Sequence, residues 1–236
     1  MIIFFIIINF SANSFSQNYS FEQISLKEGL KQSQVNKVYS DSRGFLWLAT
    51  AGGGLSIFDG VSFINYTENE GLIGNIITDI AEDKSGSIYC SSTWGGISKI
   101  NGLNVTTIAS IDELNPVFSV ENDSYGTVWV ASNQLGYLEN DELKYIETDL
   151  KPPYASGINL SVKGDYLFVC YNNKLLKIDV IKKTVVLNKN YDAVLTCCLE
   201  DDYGHLFIGT QKNGIFKCSK SGEILQKFNF PIWENN

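Results

Sequence analysis

Short apolar segments recur along this chain, and Gly, Asn, Asp or Ser separates each one from the next. In the first clear group these segments lie at residues 35–39, 45–49, 55–58 and 62–66. They are rich in aromatic and β-branched residues and too short for helices, which favours strands. The pattern therefore predicts four antiparallel strands joined by tight turns. No helix of substantial length is predicted anywhere.

This four-strand group returns about every forty residues. Three markers keep the period: a first glycine, a bulky apolar residue three positions later, and a second marker ten positions later. In chain order they are Gly44, Gly86, Gly126, Gly164 and Gly204; Trp47, Tyr89, Trp129, Leu167 and Phe207; and Gly54, Gly96, Gly136, Lys174 and Gly214. Such a period is typical of propeller blades. We predict an all-β propeller of about five four-stranded antiparallel blades.

A turn of sequence DxxG joins the first two strands of four copies, as DSRG, DKSG, DSYG and DDYG. An Asp at the first position can accept hydrogen bonds from the amides ahead of it, and a Gly at the fourth tolerates a left-handed backbone. These aspartates are thus predicted to be structural. The aromatic markers Trp47, Tyr89, Trp129 and Phe207 are predicted to fill the space between blades.

The amino terminus has the features of an export signal. Residues 1–10 are apolar, but this segment is too short to span a bilayer, and small polar residues follow it. We predict a signal peptide at 1–16, with a retained anchor or a buried strand as the alternatives, and a propeller domain at 17–236, with repeats at roughly 29–67, 71–108, 111–148, 154–187 and 191–229. The chain is expected to be periplasmic or secreted.

The formal net charge of −8 argues against binding to nucleic acid or to an anionic membrane. Five cysteines fall inside predicted strands and are expected to be small buried groups, with one disulfide bridge formed after export as the alternative. The single histidine, His205, is expected to be a solvated loop residue. No spacing of Cys or His suggests a metal site, and no cofactor is predicted.

Two segments carry a family resemblance. Residues 36–60, NKVYSDSRGFLWLATAGGGLSIFDG, and the preceding FEQISLKEGLKQSQ at 21–34 resemble the repeat and first-blade entry of the two-component regulator propellers. That family forms periplasmic sensor regions of bacterial histidine kinases and hybrid regulators. The resemblance implies an extracytoplasmic ligand-sensing module, often for a carbohydrate, and the chain itself is then expected not to be an enzyme.

Family members typically close with seven blades, so the resemblance implies that five blades are an incomplete, open part of such a ring. The predicted strand at 19–26 would be left unmatched, and the chain would be a fragment lacking the kinase. A closed five-bladed ring is the alternative. Expected partners are a carbohydrate or other small extracellular ligand, and the remaining blades or a kinase-bearing chain. A secreted interaction or scaffold propeller is the alternative function, followed by a propeller glycosidase or lyase.

Loops between second and third strands open on the same face of a propeller as the connections between blades. Amide and aromatic side chains in these loops suit sugar hydroxyls and sugar rings, and a concave mouth with a few polar groups is the usual small-molecule site. The candidate ligand-binding residues are Trp94, Gln134, Asn172, Asn173, Gln211, Lys212, Tyr154 and Tyr191. Trp94 is the first choice, because a large aromatic has no evident turn role there.

Overall fold

The computed structural model describes residues 24–93, 96–109, 117, 119–132, 134–148 and 159–229. Within these ranges twenty strands form five sheets, each of four antiparallel strands that are neighbours in sequence. The only helices among the described residues are two short 3-10 turns, Leu26–Glu28 and Glu68–Glu70. The prediction of an all-β protein with five four-stranded blades is confirmed.

The sheets are numbered as blades 1 to 5 in chain order. Their strands are β1 Val35–Ser40, β2 Leu46–Thr50, β3 Leu55–Phe58 and β4 Phe63–Tyr66; β5 Ile77–Glu82, β6 Ile88–Ser92, β7 Gly96–Asn101 and β8 Asn104–Ala109; β9 Ser119–Asn122, β10 Val128–Ala131, β11 Leu135–Glu139 and β12 Glu142–Tyr145; β13 Asn159–Lys163, β14 Tyr166–Tyr171, β15 Lys174–Asp179 and β16 Thr184–Asn190; β17 Leu195–Glu200, β18 Leu206–Thr210, β19 Ile215–Cys218 and β20 Ile224–Phe228. Of the strand predicted at 19–26, residues 19–23 lie outside the described part, and Leu26 lies in a 3-10 turn instead.

The turn aspartates do more than close the turns. One carboxylate oxygen of Asp41 accepts the amides of Arg43 and Phe45 at 3.0 and 2.9 Å, and the other accepts Nε1 of Trp47 at 3.0 Å. Gly44 closes this turn with a φ of 88°. A hydrogen bond to a charged acceptor is among the stronger ones in proteins. Three of the four turns therefore also hold the large side chain of the next strand, since Asp83 accepts the Tyr89 hydroxyl and Asp123 accepts Nε1 of Trp129.

Successive blades pack face to face through these large side chains. Trp47 is buried against Ile80, Ile88 and Ile100 of blade 2, and the ring of Tyr66 stacks on it at a centroid distance of 6.1 Å. Tyr89 and Trp129 are equally buried at the next two interfaces. For these three markers the predicted interblade position is confirmed.

In blade 4 the large side chain that faces the next blade is Phe168, one residue after the predicted marker Leu167. Leu167 packs backwards into the cluster around Trp129, whereas Phe168 packs forwards against blade 5. The cause is the turn after β13, where Lys163 pairs with Tyr166 and only two residues lie between them. This turn is shorter than the DxxG turns, so the side chain that faces forwards comes one position later relative to the glycine.

The first and last blades each leave one face uncovered by any other described sheet. On blade 1, Val38 is 56% exposed, while Ile80, its equivalent on blade 2, is 2% exposed. On blade 5, Leu199 is exposed and Phe207 is only half-buried. The prediction that Phe207 is interblade core is therefore wrong, because no described blade packs on its side of the sheet.

None of the five cysteines forms a disulfide bridge. Cys90, Cys170, Cys198 and Cys218 are buried in strands, and Cys197 is exposed on the open face of blade 5. Burial raises the pKa of the Cys90 and Cys170 thiols to about 12, so both are protonated at neutral pH. Four of the five thus behave as small apolar groups within the sheets.

Candidate functional site

We call the side of the propeller that carries the second-to-third strand loops and the blade-to-blade connections the loop face. A polar cavity of about 460 Å³ opens on this face at blade 1. It lies between the β2–β3 loop, the connection after β4 and the segment that enters blade 1. Its lining residues are Lys31, Gly52, Gly53, Asn65, Thr67, Asn69 and Glu70.

One side of the cavity is held by the 3-10 turn after β4. The Thr67 hydroxyl accepts the amide of Asn69, and the Glu70 carboxylate accepts both the amide and the hydroxyl of Thr67 at 2.8 and 2.6 Å. These hydrogen bonds from Thr67 lower the pKa of Glu70, so this carboxylate is ionised at neutral pH. Gly71 ends the turn with a φ of 104°. The polar groups here are thus held in place before any ligand arrives.

The opposite wall is a loop that comes very close to the entry segment. The amides of Gly52 and Gly54 both donate to the carbonyl of Asn75, at 3.1 and 2.9 Å, and the amide of Gly53 donates to the Thr50 hydroxyl. A Cβ at Gly53 would lie 2.7 Å from the Cβ of Gln32. Only glycine fits this contact, which leaves the loop backbone as the cavity wall.

The floor and rim carry opposite charges and an amide. The Asn65 side chain donates to the Gly29 carbonyl at 3.1 Å and accepts from the Ser56 hydroxyl at 2.6 Å, so its orientation is set. Lys31 is exposed at the rim, and its positive charge also contributes to the lowered pKa of Glu70. The cavity therefore offers an ammonium, a carboxylate and amide groups to a polar ligand. No group of three or more His, Cys, Asp or Glu side chains in the described part of the chain could hold a metal ion.

The predicted site residues are distributed differently. Trp94 and Tyr154 lie outside the described residues. Five others are exposed on loops of blades 3 to 5 on the loop face, but none lines the cavity: Gln134, Asn172, Asn173, Gln211 and Lys212. Two of these hold the backbone together, since the carbonyls of Asn172 and Asn173 accept the amides of Leu195 and Tyr191.

Tyr191 is a core residue and not part of an open loop. Its side chain is buried, its hydroxyl donates to the Gly222 carbonyl at 2.9 Å, and burial raises its pKa well above the usual range. Tyr66 makes the matching bond to the Gly102 carbonyl between blades 1 and 2. A tyrosine at or just after the end of the fourth strand thus joins its blade to the next one, and the ring of Tyr191 is not available to a sugar.

Sequence reasoning missed the residues that form the cavity, above all Lys31, Asn65, Asn69 and Glu70. A signal was present, because SLKEGL at 25–30 and TENEGL at 67–72 are copies of one motif 42 residues apart. Both form a 3-10 turn closed by reciprocal bonds between a hydroxyl residue and a glutamate. That pattern is a capping box, and a repeated capping box beside a Gly-Gly loop marks two rigid walls.

Neither a family model nor a curated protein matches this chain. Among solved structures, virginiamycin B lyase from Staphylococcus aureus is similar with a TM-score of 0.70 and 14% identity, over 84% of this chain and 71% of the lyase. The extracellular domain of a putative hybrid two-component system from B. thetaiotaomicron is similar with a TM-score of 0.65 and 19% identity, over 83% of this chain and 30% of that domain. The extracellular domain of a putative one-component system from B. thetaiotaomicron is similar with a TM-score of 0.65 and 16% identity, over 85% of this chain and 30% of that domain.

These likenesses show the propeller fold. They include extracellular domains of signalling proteins, in line with the resemblance in the repeat. They also correct one expectation, that the chain is not an enzyme: streptogramin B and virginiamycin B lyases have the same fold, so a propeller of this kind does not imply the absence of catalysis. No helix in the described ranges is long and apolar enough to cross a membrane.

Proposed function

We propose that this chain is a ligand-binding propeller of an extracytoplasmic two-component sensor, and that its ligand binds in the polar cavity of blade 1. The observation that carries the proposal is the cavity itself: a preformed concave site on the loop face with a few converging polar groups. Its volume of about 460 Å³ lies in the range of small-molecule sites, in which convergent polar groups fix the orientation of the ligand. Likeness to extracellular domains of signalling proteins supports the sensor role.

The lining favours a polyhydroxylated ligand, and a carbohydrate is the class we propose. A sugar hydroxyl both donates and accepts hydrogen bonds. It can donate to the Glu70 carboxylate, accept from the Lys31 ammonium, and do either with the side-chain amide of Asn69. The ionised Glu70 and the ammonium of Lys31 provide charge-assisted bonds, which are stronger than neutral ones.

The position of the cavity suggests how binding could be detected. Its walls come from the entry segment, the β2–β3 loop and the connection to blade 2, which are separate in sequence. A ligand that contacts all three stabilises their relative arrangement, because it binds only when they are together. A kinase-bearing partner in contact with the propeller would then respond to a stabilised blade 1.

Binding is tested with a panel of neutral and acidic oligosaccharides, by thermal shift first and calorimetry for any hit. At a ligand concentration one hundred times the Kd, linkage predicts about 2.7 kcal/mol of added stability. Lys31→Met and Asn69→Ala should each weaken binding by about tenfold. Lys182→Met is the matched control, since this exposed lysine lies in the β15–β16 turn on the opposite face.

Two outcomes would contradict the proposal. Binding that is unchanged in both cavity variants would place the ligand elsewhere. Conversion of the ligand or of virginiamycin B to a product during the titration, followed by chromatography, would point to lyase chemistry in place of sensing.

A further inference from the structure

A second cavity lies between blades 2 and 3, on the side of the propeller opposite the loop face. We call this side the turn face, because it carries the turns between the first two and between the last two strands of each blade. The cavity has a volume of about 270 Å³, and we call it the turn-face cavity. Its lining residues are Asp83, Tyr89, Lys99, Gly126, Val128, Leu138, Asn140 and Asp141.

This cavity lies where a tyrosine takes the place of a tryptophan. In blades 1 and 3 the large second-strand residue is Trp47 or Trp129, and its indole nitrogen donates to the aspartate of its own turn. In blade 2 that residue is Tyr89, whose hydroxyl lies 3.1 Å from Oδ2 of Asp83 in its own turn. The same hydroxyl lies 3.0 Å from Oδ1 of Asp141 in blade 3. Tyr89 therefore contacts carboxylates of two blades.

Asp141 is placed by the two-residue turn between β11 and β12. Asn140 and Asp141 have φ angles of 52° and 62°, a left-handed conformation that Asn and Asp adopt more readily than most residues with a side chain. The corresponding turns of blades 1 and 2 have Gly60-Val61 and Gly102-Leu103 at these positions. The turn thus forms without a carboxylate, and the fold does not require Asp141 to face Tyr89.

The hydrogen bonds in the cavity leave the two carboxylates short of donors. A phenol has one proton, so the Tyr89 hydroxyl can donate fully to only one of them. Burial and the two carboxylates raise the pKa of Tyr89 well above its usual range, so the hydroxyl keeps that proton. Burial alone would raise the pKa of Asp83, but hydrogen bonds from Ser85, Ser87 and Tyr89 lower it below its ordinary value of 3.8. Asp83 is therefore ionised at neutral pH.

Lys99 shows which chemistry this lining accepts. Its ammonium lies 2.9 Å from each carboxylate oxygen of Asp141 and 5.2 Å from the centre of the Tyr89 ring. A carboxylate and an aromatic face both attract a cation. One ammonium does not balance the charges of Asp83 and Asp141, so the lining keeps one negative charge in excess.

The remaining wall is apolar. Val128 and Leu138 are buried side chains of blade 3. A Cβ at Gly126 would collide with the Lys84 side chain, so the alkyl part of Lys84 lies directly on this glycine. The Lys84 ammonium lies 5.6 Å from the centre of the Tyr125 ring. The cavity thus combines an apolar wall, which suits a short alkyl chain, with carboxylates that suit a charged end.

We infer that the turn-face cavity binds an organic cation, namely an alkylammonium or alkylguanidinium group. The cation supplies the N–H donors that Asp83 and Asp141 lack, and it neutralises the excess negative charge. Its alkyl chain lies against Val128 and Leu138. Such a group comes either from a free amine or from a Lys or Arg side chain of a partner protein. The site is on the opposite side of the propeller from the polar cavity of blade 1, so the inference does not depend on the proposed carbohydrate.

The first test compares probes that differ in charge. Ligand-observed NMR titrations with the full chain at pH 7 measure the affinity for n-butylammonium, n-butylguanidinium and the neutral 1-butanol. The two cations should bind at least about tenfold more tightly than 1-butanol, because hydrogen bonds to charged groups are the stronger ones. Equal affinity for the cations and for 1-butanol would overturn the inference.

Two variants should change the affinity for n-butylammonium in opposite directions. Asp141→Asn removes a carboxylate and leaves the Lys99 ammonium without its partner, so the affinity should fall by about tenfold or more. Lys99→Met removes the competing ammonium, so the affinity should rise by about tenfold. A structural role of this pair would instead weaken binding in both variants. Weaker or unchanged binding by Lys99→Met would overturn the inference, even if Asp141→Asn fails to fold.

A neighbouring ion pair provides the matched controls. Lys144 bonds Glu142 at 2.6 Å in the same blade, and neither residue lines the cavity. Glu142→Gln and Lys144→Met should each change the affinity by less than about twofold, because both side chains are exposed and surface charges are screened. Effects as large as those of the cavity variants would assign binding to general attraction by an acidic chain and overturn the inference.

The source of the cation is tested with 1,4-diaminobutane and with Nα-acetyl-lysine amide. Tighter binding of the diamine supports a free amine as the natural ligand, and tighter binding of the lysine amide supports a basic side chain of a partner protein. Failure of both to bind would overturn the inference.

Discussion

The interface between blades 1 and 2 and the open faces of the terminal blades are built from the same kinds of residue. At the interface, Trp47 is enclosed by isoleucines and its indole nitrogen is bonded to Asp41. On the open side of blade 5, Phe207 occupies the equivalent position in its sheet and stays half-buried. The strand and the turn around Trp47 and Phe207 are alike. Their burial differs because another blade is stacked on the face that carries Trp47 and none of the described blades is stacked on the face that carries Phe207.

The comparison shows that equivalent apolar residues do not contribute equally to stability. The hydrophobic contribution depends on the area removed from water, and an uncovered face removes less of it. Each open face is also a liability, since an exposed apolar patch promotes association. The experiments below compare covered and open positions directly, from the largest expected effect to the smallest.

The largest difference is expected for a charge placed at equivalent positions of blades 1 and 2. Ile80→Asp puts a carboxylate in a closed apolar cluster and should cost several kcal/mol, enough to unfold the chain. Val38→Asp is on the open face and should cost less than about 1 kcal/mol. Urea denaturation followed by circular dichroism measures both. Similar losses would mean that the outer face of blade 1 is covered in solution.

The next effect is removal of the large side chain itself. Trp129→Ala should lower the free energy of unfolding by about 3 to 5 kcal/mol, because the ring is fully buried and its cavity cannot collapse. Phe207→Ala should lower it by about 1 kcal/mol. The same denaturation curves test this pair, and a larger loss for Phe207→Ala would reverse the comparison.

The third prediction concerns the stability of the fold at acid pH. Burial alone would raise the pKa of Asp41, but hydrogen bonds from Trp47, Arg43 and the turn amides outweigh it and lower the pKa below its ordinary value of 3.8. A carboxylate with a lowered folded pKa stabilises the protein above about pH 4, and this stability is lost as the pH falls through the folded pKa.

Unfolding curves between pH 7 and pH 2 should therefore show a loss of stability below about pH 4, and Asp41→Asn should make that loss shallower. At pH 7 the variant should cost about 1 to 2 kcal/mol, since the Trp47 bond loses its charged acceptor. Asp202→Asn is the control, because its side chain is 94% exposed. Identical acid profiles for Asp41→Asn and wild type would contradict the assignment.

The smallest effect is expected for an exposed ion pair between blades. Lys163 bonds Asp202 at 2.7 Å, but both side chains are exposed, and such pairs contribute about 0 to 1 kcal/mol. Lys163→Met should therefore change stability by less than about 0.5 kcal/mol. Lys177→Met should cost more, because Lys177 and Glu200 are both largely buried and the carboxylate would lose its partner. Differential scanning calorimetry resolves this order.

Much of the fold could be predicted because the signals are local. The DxxG turn acts within six residues, from Asp41 to Trp47, and each strand is short enough to be identified by its own composition. Blade 4 is where this reasoning lost accuracy. Its two-residue turn keeps a glycine but shifts the strand, so Phe168 and not Leu167 faces forwards, and only the pairing of Lys163 with Tyr166 shows the shift.

The site was harder to predict than the fold. The polar cavity joins Lys31, Gly53 and Asn69, which are up to 38 residues apart, and the repeated capping box marks the rigid turns without showing that these residues meet. Tyr191 lies among polar residues typical of a loop, so the sequence favours an exposed ring. In the structure the ring is buried, and its hydroxyl donates to the Gly222 carbonyl on the next blade. Such contacts depend on how one sheet stacks on another.

The sequence by itself determined the strand period, the turn chemistry and the number of blades, because short-range hydrogen bonds and alternating side chains specify them within a few residues. Only the tertiary structure decided which faces are closed, that the ring of Tyr191 is buried, and where the polar cavity forms. Those properties arise from contacts between repeats, and a repeat of constant sequence pattern acquires a different environment at each place in the stack.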